Sequence, residues 1–323
     1  MASFGWGYNC AGNILTVLIP YIITRWVIMT IGASSFWPSR EKSRVMQQFY
    51  TPTYVNDHIV ALKSISGEFV YLLMGHDRAL LIDTCVGAGN LRAQVEKLTD
   101  LPVDVAITHG HIDHAMGAPE WEHCWMNPAD AELYKSMCDV EERMGYVRGN
   151  AGSEIAAPWE DTFLPATPDY AFLPISDGQV FDLGGVTVEA ISFPGHTPGC
   201  MAMLLIEDRI LITGDACNNS TFLFDEYTSS VEAYRETIIQ VAERLASRYD
   251  RVFIQHHEME VAPDILANMV EVCDRILAGD VDDLPFNFRG IEARVALEHD
   301  GRFHRLDGKS GNIIYNPAHL RDA

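Results

Sequence analysis

The sequence predicts an α/β protein built from layers of strands and helices. Two observations support this fold class. Short apolar runs bounded by turn residues alternate with longer segments of helical character, and 48% of the 323 residues are hydrophobic. A chain with this length and composition can bury a sizeable core, as one large domain or as two. Such alternation is typical of layered α/β domains.

The first half of the pattern consists of four short strands and two helices. Strands are predicted at residues 59–64, 68–74, 79–83 and 103–107, and helices at 90–98 and 129–143. Asn127-Pro128 provides the start signal of the second helix. Residues 149–167 are rich in Gly, Ala and Pro, so we expect a long loop there.

The second half repeats this order of strands followed by helices. Its predicted strands are 179–182, 186–192, 201–206, 209–213 and 252–255, and its predicted helices are 231–247 and 263–277. The tail at 301–316 is also predicted to be strand-like, ending in Asn312-Ile313-Ile314-Tyr315. The periodicity therefore indicates two similar halves.

Imidazole and carboxylate side chains follow several of these predicted strands. Directly after the strand at 103–107, an H-x-H-x-D-H cluster supplies His109, His111, Asp113 and His114. Four such side chains within six residues cannot share one helical face, so the segment must be a loop. Further candidates come later in the chain: His196, Asp215 and the pair His256-His257. These are the ligand types that zinc and similar cations prefer.

The order and spacing of these motifs resemble the metallo-β-lactamase fold superfamily, from about His58 to Pro317. Two further motifs carry the resemblance: residues 80–84 read Leu-Leu-Ile-Asp-Thr, and residues 212–215 read Ile-Thr-Gly-Asp. The resemblance implies a four-layer αββα sandwich. Ligand loops from both halves would then meet at one edge of the paired sheets.

The resemblance also implies a site for two divalent metal ions. By analogy, His109, His111 and His196 hold one ion, Asp113, His114 and a late His hold the other, and Asp215 bridges them. Zinc is the expected metal, with iron and manganese as alternatives. Asp83 ends a predicted strand, where the family has an Asp that orients ligands by hydrogen bonding. A plain strand-terminating Asp is the alternative for this residue.

The identity of the last ligand is open between two neighbouring histidines. The family more often has a small residue and then His after the strand that this chain has at residues 251–254. Aligning that strand favours His257 as the ligand, with His256 as the alternative. Because this chain has His where the family more often has the small residue, we expect a second imidazole in or beside the site.

The resemblance implies a metal-dependent hydrolase of the glyoxalase II-like or lactonase-like branch. A hydroxide bridging two metals would cleave an ester, thioester or lactone bond of a small molecule, and Asp113 would pass the proton to the leaving group. An iron-dependent sulfur dioxygenase, or another redox protein on the same scaffold, is the alternative. The lactonases often carry a Tyr shortly after the bridging Asp. Here the nearest is Tyr227, which weakens that assignment.

Several other side chains are candidates for substrate contacts. Arg289, Arg294, Arg302 and Arg305 are candidates for meeting an anionic substrate, although solvated surface charge is the default for each. Phe222, Leu223, Phe224 and Trp159 are candidates for an apolar pocket wall, with core packing as the alternative. Cys217, two residues after Asp215, is either a neighbour of the metals or a small buried residue.

The charge and the cysteine content indicate which partners and which cellular compartment to expect. The formal net charge of −22 argues against a nucleic-acid partner, because phosphate binding relies on clustered Lys and Arg. Seven scattered cysteines without a C-x-x-C indicate reduced thiols and a cytoplasmic location. A small-molecule substrate is expected, and a homodimer is a further expectation.

The N-terminal segment, residues 1–44, is predicted to lie outside the catalytic domain, which is assigned to residues 45–323. Arg25 is its only charge before Arg40. Three interpretations stay open. The segment is a membrane anchor that makes contact through residues 11–33, an arm packed on the domain or a partner subunit, or the product of a start codon assigned too early. An anchor would leave the catalytic domain on the cytoplasmic side, because Arg40, Lys42 and Arg44 follow the apolar segment.

Overall fold

The computed structural model describes residues 48–322. Two β-sheets face each other and helices cover the outer face of each, which confirms the predicted αββα sandwich. A third, smaller sheet follows in the C-terminal part of the chain. The interpretations of residues 1–44 concern a segment outside the described residues.

The first sheet contains seven strands in sequence order. They are β1 (Tyr50–Tyr54), β2 (Ile59–Ser64), β3 (Phe69–Met74), β4 (Ala79–Ile82), β5 (Val103–Ala106), β6 (Trp125–Met126) and β7 (Leu173–Pro174). Strands β1 to β4 are antiparallel, whereas β4 to β7 are parallel. The parallel ends of β4 and β5 lie side by side, so the loops that follow them leave the sheet at one edge.

The other two sheets are built from the rest of the strands. These are β8 (Val180–Asp182), β9 (Thr187–Ser192), β10 (Met201–Leu205), β11 (Ile210–Ile212), β12 (Thr221–Leu223), β13 (Arg251–Phe253), β14 (Glu260–Val261), β15 (Leu284–Phe288), β16 (Ile291–Val295) and β17 (Ile313–Tyr315). The second sheet has the order β14-β13-β11-β10-β9-β8, and the third has the order β12-β17-β16-β15. The parallel pair β11 and β13 delivers loops to the edge of the second sheet.

Six helices complete the described part of the chain. They are α1 (Leu91–Val95), α2 (Ala131–Ser136), α3 (Val140–Ala151), α4 (Ser153–Ala156), α5 (Val231–Arg244) and α6 (Ile265–Ala278). Short 3₁₀ turns lie at Ala118–Glu120, Pro128–Asp130 and Ala157–Thr162. None of the helices within residues 48–322 combines the length and apolar character needed to cross a bilayer.

Alternating side chains of the strands build the core. In β2, Ile59 and Ala61 pack into the cluster between the two large sheets, together with Met203 of β10. Val60 and Leu62 point the other way, into the cluster under helices α1 to α3. The period of two residues thus places one side chain in each apolar layer. On the far side, α5 and α6 cover the second sheet.

The structure changes several predicted boundaries. The helix predicted at 129–143 is interrupted at residues 137–139, where the Asp139 side chain accepts a hydrogen bond from Glu142 N and starts α3 as its N-cap. The loop predicted at 149–167 is largely helical up to Thr162. In the predicted strand-like tail at 301–316, only Ile313–Tyr315 is a strand. The hairpin of β15 and β16 was not predicted.

Candidate metal centre

The loop that follows β5 is held in place by a carboxylate at the end of β4. Asp83 is 1% exposed and accepts hydrogen bonds from Thr108 N at 2.7 Å and from Thr108 Oγ1 at 2.9 Å. Its backbone φ of 65° is in the left-handed region, which Asp tolerates better than most residues. The buried carboxylate therefore fixes the start of the H-x-H-x-D-H loop.

Three histidines from this loop and from the loop after β9 converge on one point. His111 Nδ1 lies 3.0 Å from His109 Nε2 and 2.9 Å from His196 Nε2. The three nitrogens form a group in which all lie within 4.8 Å of one another. Nitrogen ligands about 2.0–2.1 Å from a shared zinc ion would have separations of this order.

The outer ring nitrogens show which tautomer each histidine adopts. Thr108 Oγ1 donates to Asp83, so it accepts from His109 Nδ1 at 3.1 Å. The Phe222 carbonyl accepts from His196 Nδ1 at 2.8 Å. These bonds leave the lone pairs on His109 Nε2 and His196 Nε2.

The same argument applies to His111 through a tyrosine. Tyr227 donates its hydroxyl proton to Asp225 Oδ2 and therefore accepts from His111 Nε2, which lies 2.7 Å from the Tyr227 oxygen. The lone pair of His111 is then on Nδ1. Three lone pairs face one point, an arrangement that is repulsive unless a cation lies between them.

The environment keeps two imidazoles of this first group, those of His109 and His111, neutral. Burial, followed by the neighbouring imidazoles, lowers the pKa of His109 well below its ordinary value. Burial and the adjacent His196 lower the pKa of His111 to about 3. Neutral imidazole is the form that binds a metal.

A second group contains Asp113, His114 and His256, whose ligand atoms lie within 4.8 Å of one another. His256 Nε2 is 3.3 Å from Asp113 Oδ2 and 3.2 Å from His114 Nε2. The other nitrogen of His114, Nδ1, lies 2.9 Å from Asp83 Oδ2. Asp83 thus contacts the second group directly and the first group through Thr108.

Asp215 lies between the two groups. Its Oδ2 is 3.2 Å from His256 Nε2, 3.6 Å from His114 Nε2 and 3.8 Å from His196 Nε2. Burial alone would lower the pKa of His256, but the Asp215 and Asp113 carboxylates raise it to about 9. The carboxylates therefore favour positive charge at this place, as a bound cation would supply.

The structure places His256, and not the neighbouring His257, in the second group. The alignment that favoured His257 assumed that the strand continues through Ile254, whereas β13 ends at Phe253. His257 has a φ of 65°, and its Nε2 lies 3.4 Å from Ser220 Oγ. This turn of the backbone directs the two imidazoles to different neighbours. The geometry therefore favours His256, which the sequence analysis held as the alternative, as the candidate ligand.

Tyr146 and Glu68 support Asp113 from behind. The Tyr146 hydroxyl lies 2.8 Å from Asp113 Oδ2 and 2.6 Å from Glu68 Oε1. Glu68 is 2% exposed, and its other oxygen accepts from Ser64 Oγ at 2.5 Å. Burial and the two carboxylates raise the pKa of Tyr146 well above its ordinary value, so the hydroxyl keeps its proton. Sequence reasoning missed this series of hydrogen bonds because the residues that form it are far apart in sequence.

Asp130 joins the two loops that carry the first group. One of its oxygens accepts from Gly110 N at 2.9 Å and from Thr197 Oγ1 at 2.6 Å, and the other accepts from Gly199 N at 2.7 Å. A Cβ on Gly199 would lie 2.6 Å from the Asp130 carboxyl carbon, which explains glycine at this position. Asp130 follows the Asn127-Pro128 signal, which indicated only a helix start.

A cleft of about 660 Å³ opens onto both groups. Phe222 and Arg289 line it, whereas Leu223, Phe224 and Trp159 pack into apolar clusters instead. Cys217 is fully buried in the cluster under α5 and α6 and belongs to neither ligand group. The structure therefore supports the interpretation of Cys217 as a small buried residue.

The other three arginine candidates differ in their surroundings. Arg302 lines a second cleft together with Lys63, His257, Glu258 and His304. Arg305 is buried, bonded to Asp307 and to the Gly311 carbonyl. Arg294 lies at the surface and donates to the Asp283 carbonyl.

Comparison with known sequences agrees with this geometry. A family model described as "Metallo-beta-lactamase superfamily" matches residues 66–256, more than half of the chain. An atrochrysone carboxyl ACP thioesterase of Paecilomyces divaricatus is 29% identical over 157 residues, which cover 47% of this chain and 40% of that protein. A hydroxyacylglutathione hydrolase of Haemophilus influenzae is 31% identical over 144 residues, covering 42% of this chain and 60% of that protein. The chain thus matches about half the length of these relatives.

Solved structures show the same fold. A metallo-beta-lactamase from Pontibacter korlensis aligns with a TM-score of 0.51 at 16% identity, covering 70% of this chain and 99% of that one. A sec-alkylsulfatase from Pseudomonas sp. aligns with a TM-score of 0.55 at 18% identity, covering 73% of this chain and 46% of that one. At these identities the likeness concerns the architecture alone.

Proposed function

Because this chain belongs to the metallo-β-lactamase superfamily, we propose that it is a metal-dependent hydrolase that cleaves the thioester bond of a small molecule. The relatives named as a thioesterase and as a hydroxyacylglutathione hydrolase support this bond type. The cleft of about 660 Å³ is within the size range of small-molecule sites. Esters and lactones are the neighbouring substrate classes against which the proposal is tested.

One observation carries the proposal: three imidazole lone pairs converge beside a second group that contains carboxylates. His109, His111 and His196 would hold one ion, Asp113, His114 and His256 would hold the second, and Asp215 would contact both. A divalent cation held there polarises a carbonyl oxygen and lowers the pKa of a coordinated water to about 7. Zinc is the proposed metal because imidazole nitrogen and carboxylate oxygen are among its usual ligands, and iron and manganese, which accept the same donors, are the alternatives.

The chain's own residues would orient the donors and move the proton. Asp83 holds the His114 ring, and Tyr146 holds Asp113 through the hydrogen bond to Oδ2. We assign to Asp113 the transfer of a proton from the attacking water to the departing sulfur, because its carboxyl group lines the cleft. A thiol has a pKa near 8.5, so it departs with less help from an acid than an alcohol does.

The test is metal analysis of the purified chain together with a panel of thioester, ester, lactone and phosphodiester substrates. We expect two metal ions per chain and the highest kcat/KM for thioesters. Removal of the metal by a chelator should abolish turnover, and added zinc should restore it. A single tightly bound iron with thiol-dependent oxygen uptake would instead establish the redox alternative.

We also propose that the enzyme acts in the cytoplasm. The six cysteines within residues 48–322 are buried and have free thiols, which is typical of a reducing compartment. Treatment of intact cells that express the full chain with an external protease would test this location, because a catalytic domain in the cytoplasm is protected whether or not the chain is anchored, whereas one outside is digested.

A further inference from the structure

The cleft above the metal centre joins the reacting groups to an apolar wall. His111, His196, Asp113, Asp215 and His256 line its inner end. Much of the remaining lining is apolar, including Ile112, Met137, Ile291 and four phenylalanines. A substrate whose scissile bond lies at the donors must therefore place another part of itself against these side chains.

The wall is aromatic and is formed mainly by one strand. Phe286 and Phe288 lie on the same face of β15, whereas Pro285 and Asn287 on the other face are exposed. Their ring centroids are 5.9 Å and 5.4 Å from that of Phe222. All three rings are only partly buried, so apolar surface remains accessible from the cleft. Aromatic rings at such distances accept further rings by offset or edge-to-face packing.

Helix α3 lines another part of the cleft with two glycines as well as with the side chains of Tyr146 and Asn150. Gly145 and Gly149 lie four residues apart and both line the cleft. A Cβ at either position would meet no atom within 4 Å, so packing does not require glycine. Glycine inside a helix is unfavourable relative to alanine, and the visible effect of keeping it here is a wider cleft.

These two surfaces flank different donor groups. Tyr146 of α3 donates to Asp113 in the second group, whereas the Phe222 carbonyl accepts from His196 in the first group. A scissile carbonyl placed at the donors is thus bordered by helix α3 near Asp113 and by the phenylalanines near His196.

We infer that the substrate carries a bulky aromatic acyl group, which lies against Phe222, Phe286 and Phe288 and finds room beside Gly145 and Gly149 of α3. This inference rests on the proposed thioesterase function. It names the substrate class of that site. Phe286, Phe288 and Gly149 then determine specificity, while the donors determine the chemistry.

The test compares thioesters that share one thiol and differ in the acyl group. The metal-loaded full chain is assayed with the 2-naphthoyl, octanoyl and acetyl thioesters of N-acetylcysteamine, and 2-naphthoate binding is measured separately by calorimetry. We expect kcat/KM for naphthoyl to exceed that for acetyl by roughly 100-fold, since apolar contacts discriminate by factors of this order. An octanoyl value equal to or above the naphthoyl value would overturn the aromatic assignment.

The binding measurement separates this inference from the proposed function. If no thioester is cleaved but 2-naphthoate binds far more tightly than acetate, the thioesterase proposal fails and the aromatic subsite stands. If naphthoate binds no better than acetate, the inference is overturned whatever the activity is.

Variants test the individual walls. Phe286→Ala and Phe288→Ala should each lower the ratio of naphthoyl to acetyl kcat/KM by roughly tenfold or more, because each removes a large apolar contact. Pro285→Ala on the opposite face of β15 is the matched control and should leave the ratio unchanged. Gly149→Leu should keep the melting temperature at or above that of the parent and still lose the naphthoyl preference. Equal loss for both substrates in the phenylalanine variants would refute a role in specificity.

Discussion

Asp83 illustrates how much of the centre depends on one side chain. Its two oxygens accept from Thr108 N, Thr108 Oγ1 and His114 Nδ1, with Gln255 Nε2 at 3.2 Å as a further donor. Through the direct bond it sets the tautomer of His114. Through the Thr108 hydroxyl it sets that of His109. Outer partners of this kind commonly change metal affinity by about 10–100-fold when they are removed.

The two neighbouring histidines should respond differently to truncation. We expect His256→Ala to lose one of the two metals, because its Nε2 lies within 3.3 Å of Asp113 Oδ2 and Asp215 Oδ2. His257→Ala should keep both metals and change substrate kinetics only, because its ring lies beside Ser220 in the lining of the cleft. Metal content by mass spectrometry, with the parent chain as reference, measures this directly. Loss of metal from the His257 variant alone would show that His257 is the ligand, as the sequence alignment favoured.

The pH dependence of metal binding should differ between the two groups. A proton on His256, whose pKa is about 9, must leave before the ring can bind metal. Although burial opposes them, the Asp113 and Asp215 carboxylates also raise the pKa of His114, the other imidazole of this group, well above its ordinary value. Affinity at the second group should therefore rise with pH between pH 6 and 9, by up to about 100-fold per unit when both rings lose a proton. His111, with a pKa of about 3, contributes no such slope above pH 5. Competition with a chromogenic chelator between pH 6 and 9 resolves the two sites, and equal slopes would contradict the assignment.

Among the elements, the loops after β5 and β9 are the ones most tightly tied together. Both carry donors of the first group, and Asp130 bridges them through Gly110, Thr197 and Gly199. A Cβ on Gly110 would lie 2.9 Å from the Asp130 carbonyl oxygen, so this loop has little room to move. The spacing between His111 and His196 is thus set by a carboxylate that binds no metal.

Replacing Asp130 should weaken metal binding without removing any ligand. In Asp130→Asn one oxygen becomes an NH₂ group, which faces either the Gly110 and Thr197 donors or the Gly199 donor. Leaving a buried donor unpaired costs about 1–3 kcal/mol of folding free energy. We expect that loss in chemical unfolding, together with about a 10–100-fold loss of affinity at the first group. Asp139→Asn, at the exposed cap of α3, is the control, because Asn caps a helix equally well. Unchanged metal affinity in the Asp130 variant would limit its role to stability.

The residues that sequence reasoning predicted and those it missed differ for a physical reason. Donors such as His109, His111 and Asp113 follow a strand directly, so their meeting is encoded in adjacent positions. Tyr146 and Asp130 reach the centre only through tertiary packing, and each looks like an ordinary helix or loop residue in the sequence. The choice between His256 and His257 depends on a positive φ at His257, which no spacing reveals.

For the molecule as a whole, the described residues contain every proposed donor and the apolar clusters on both faces of the sheets. We therefore predict that a chain beginning at Met46 folds, binds both metals and keeps the hydrolase activity of the full chain. Circular dichroism, metal content and turnover, each compared with the full chain, are the measurements.

Comparison of the two chains also distinguishes the interpretations of residues 1–44. Sedimentation of the full chain alone with membranes would identify an anchor. Lower stability or a changed oligomeric state of the shorter chain would identify a packed arm. A shorter chain that binds no metal would show that the domain boundary lies further upstream.

The hairpin of β15 and β16 belongs to the third sheet, whereas the proposed donors lie in loops that follow strands of the other two. Within the third sheet the hairpin pairs with β17, and β17 pairs with β12, the strand that follows the Asp215 loop. Mutations in this hairpin leave the backbone of the ligand loops unchanged, since the two sets of residues share no backbone segment. Descendants of this chain could thus acquire new substrates by exchanging a single hairpin, while their reaction chemistry is inherited intact.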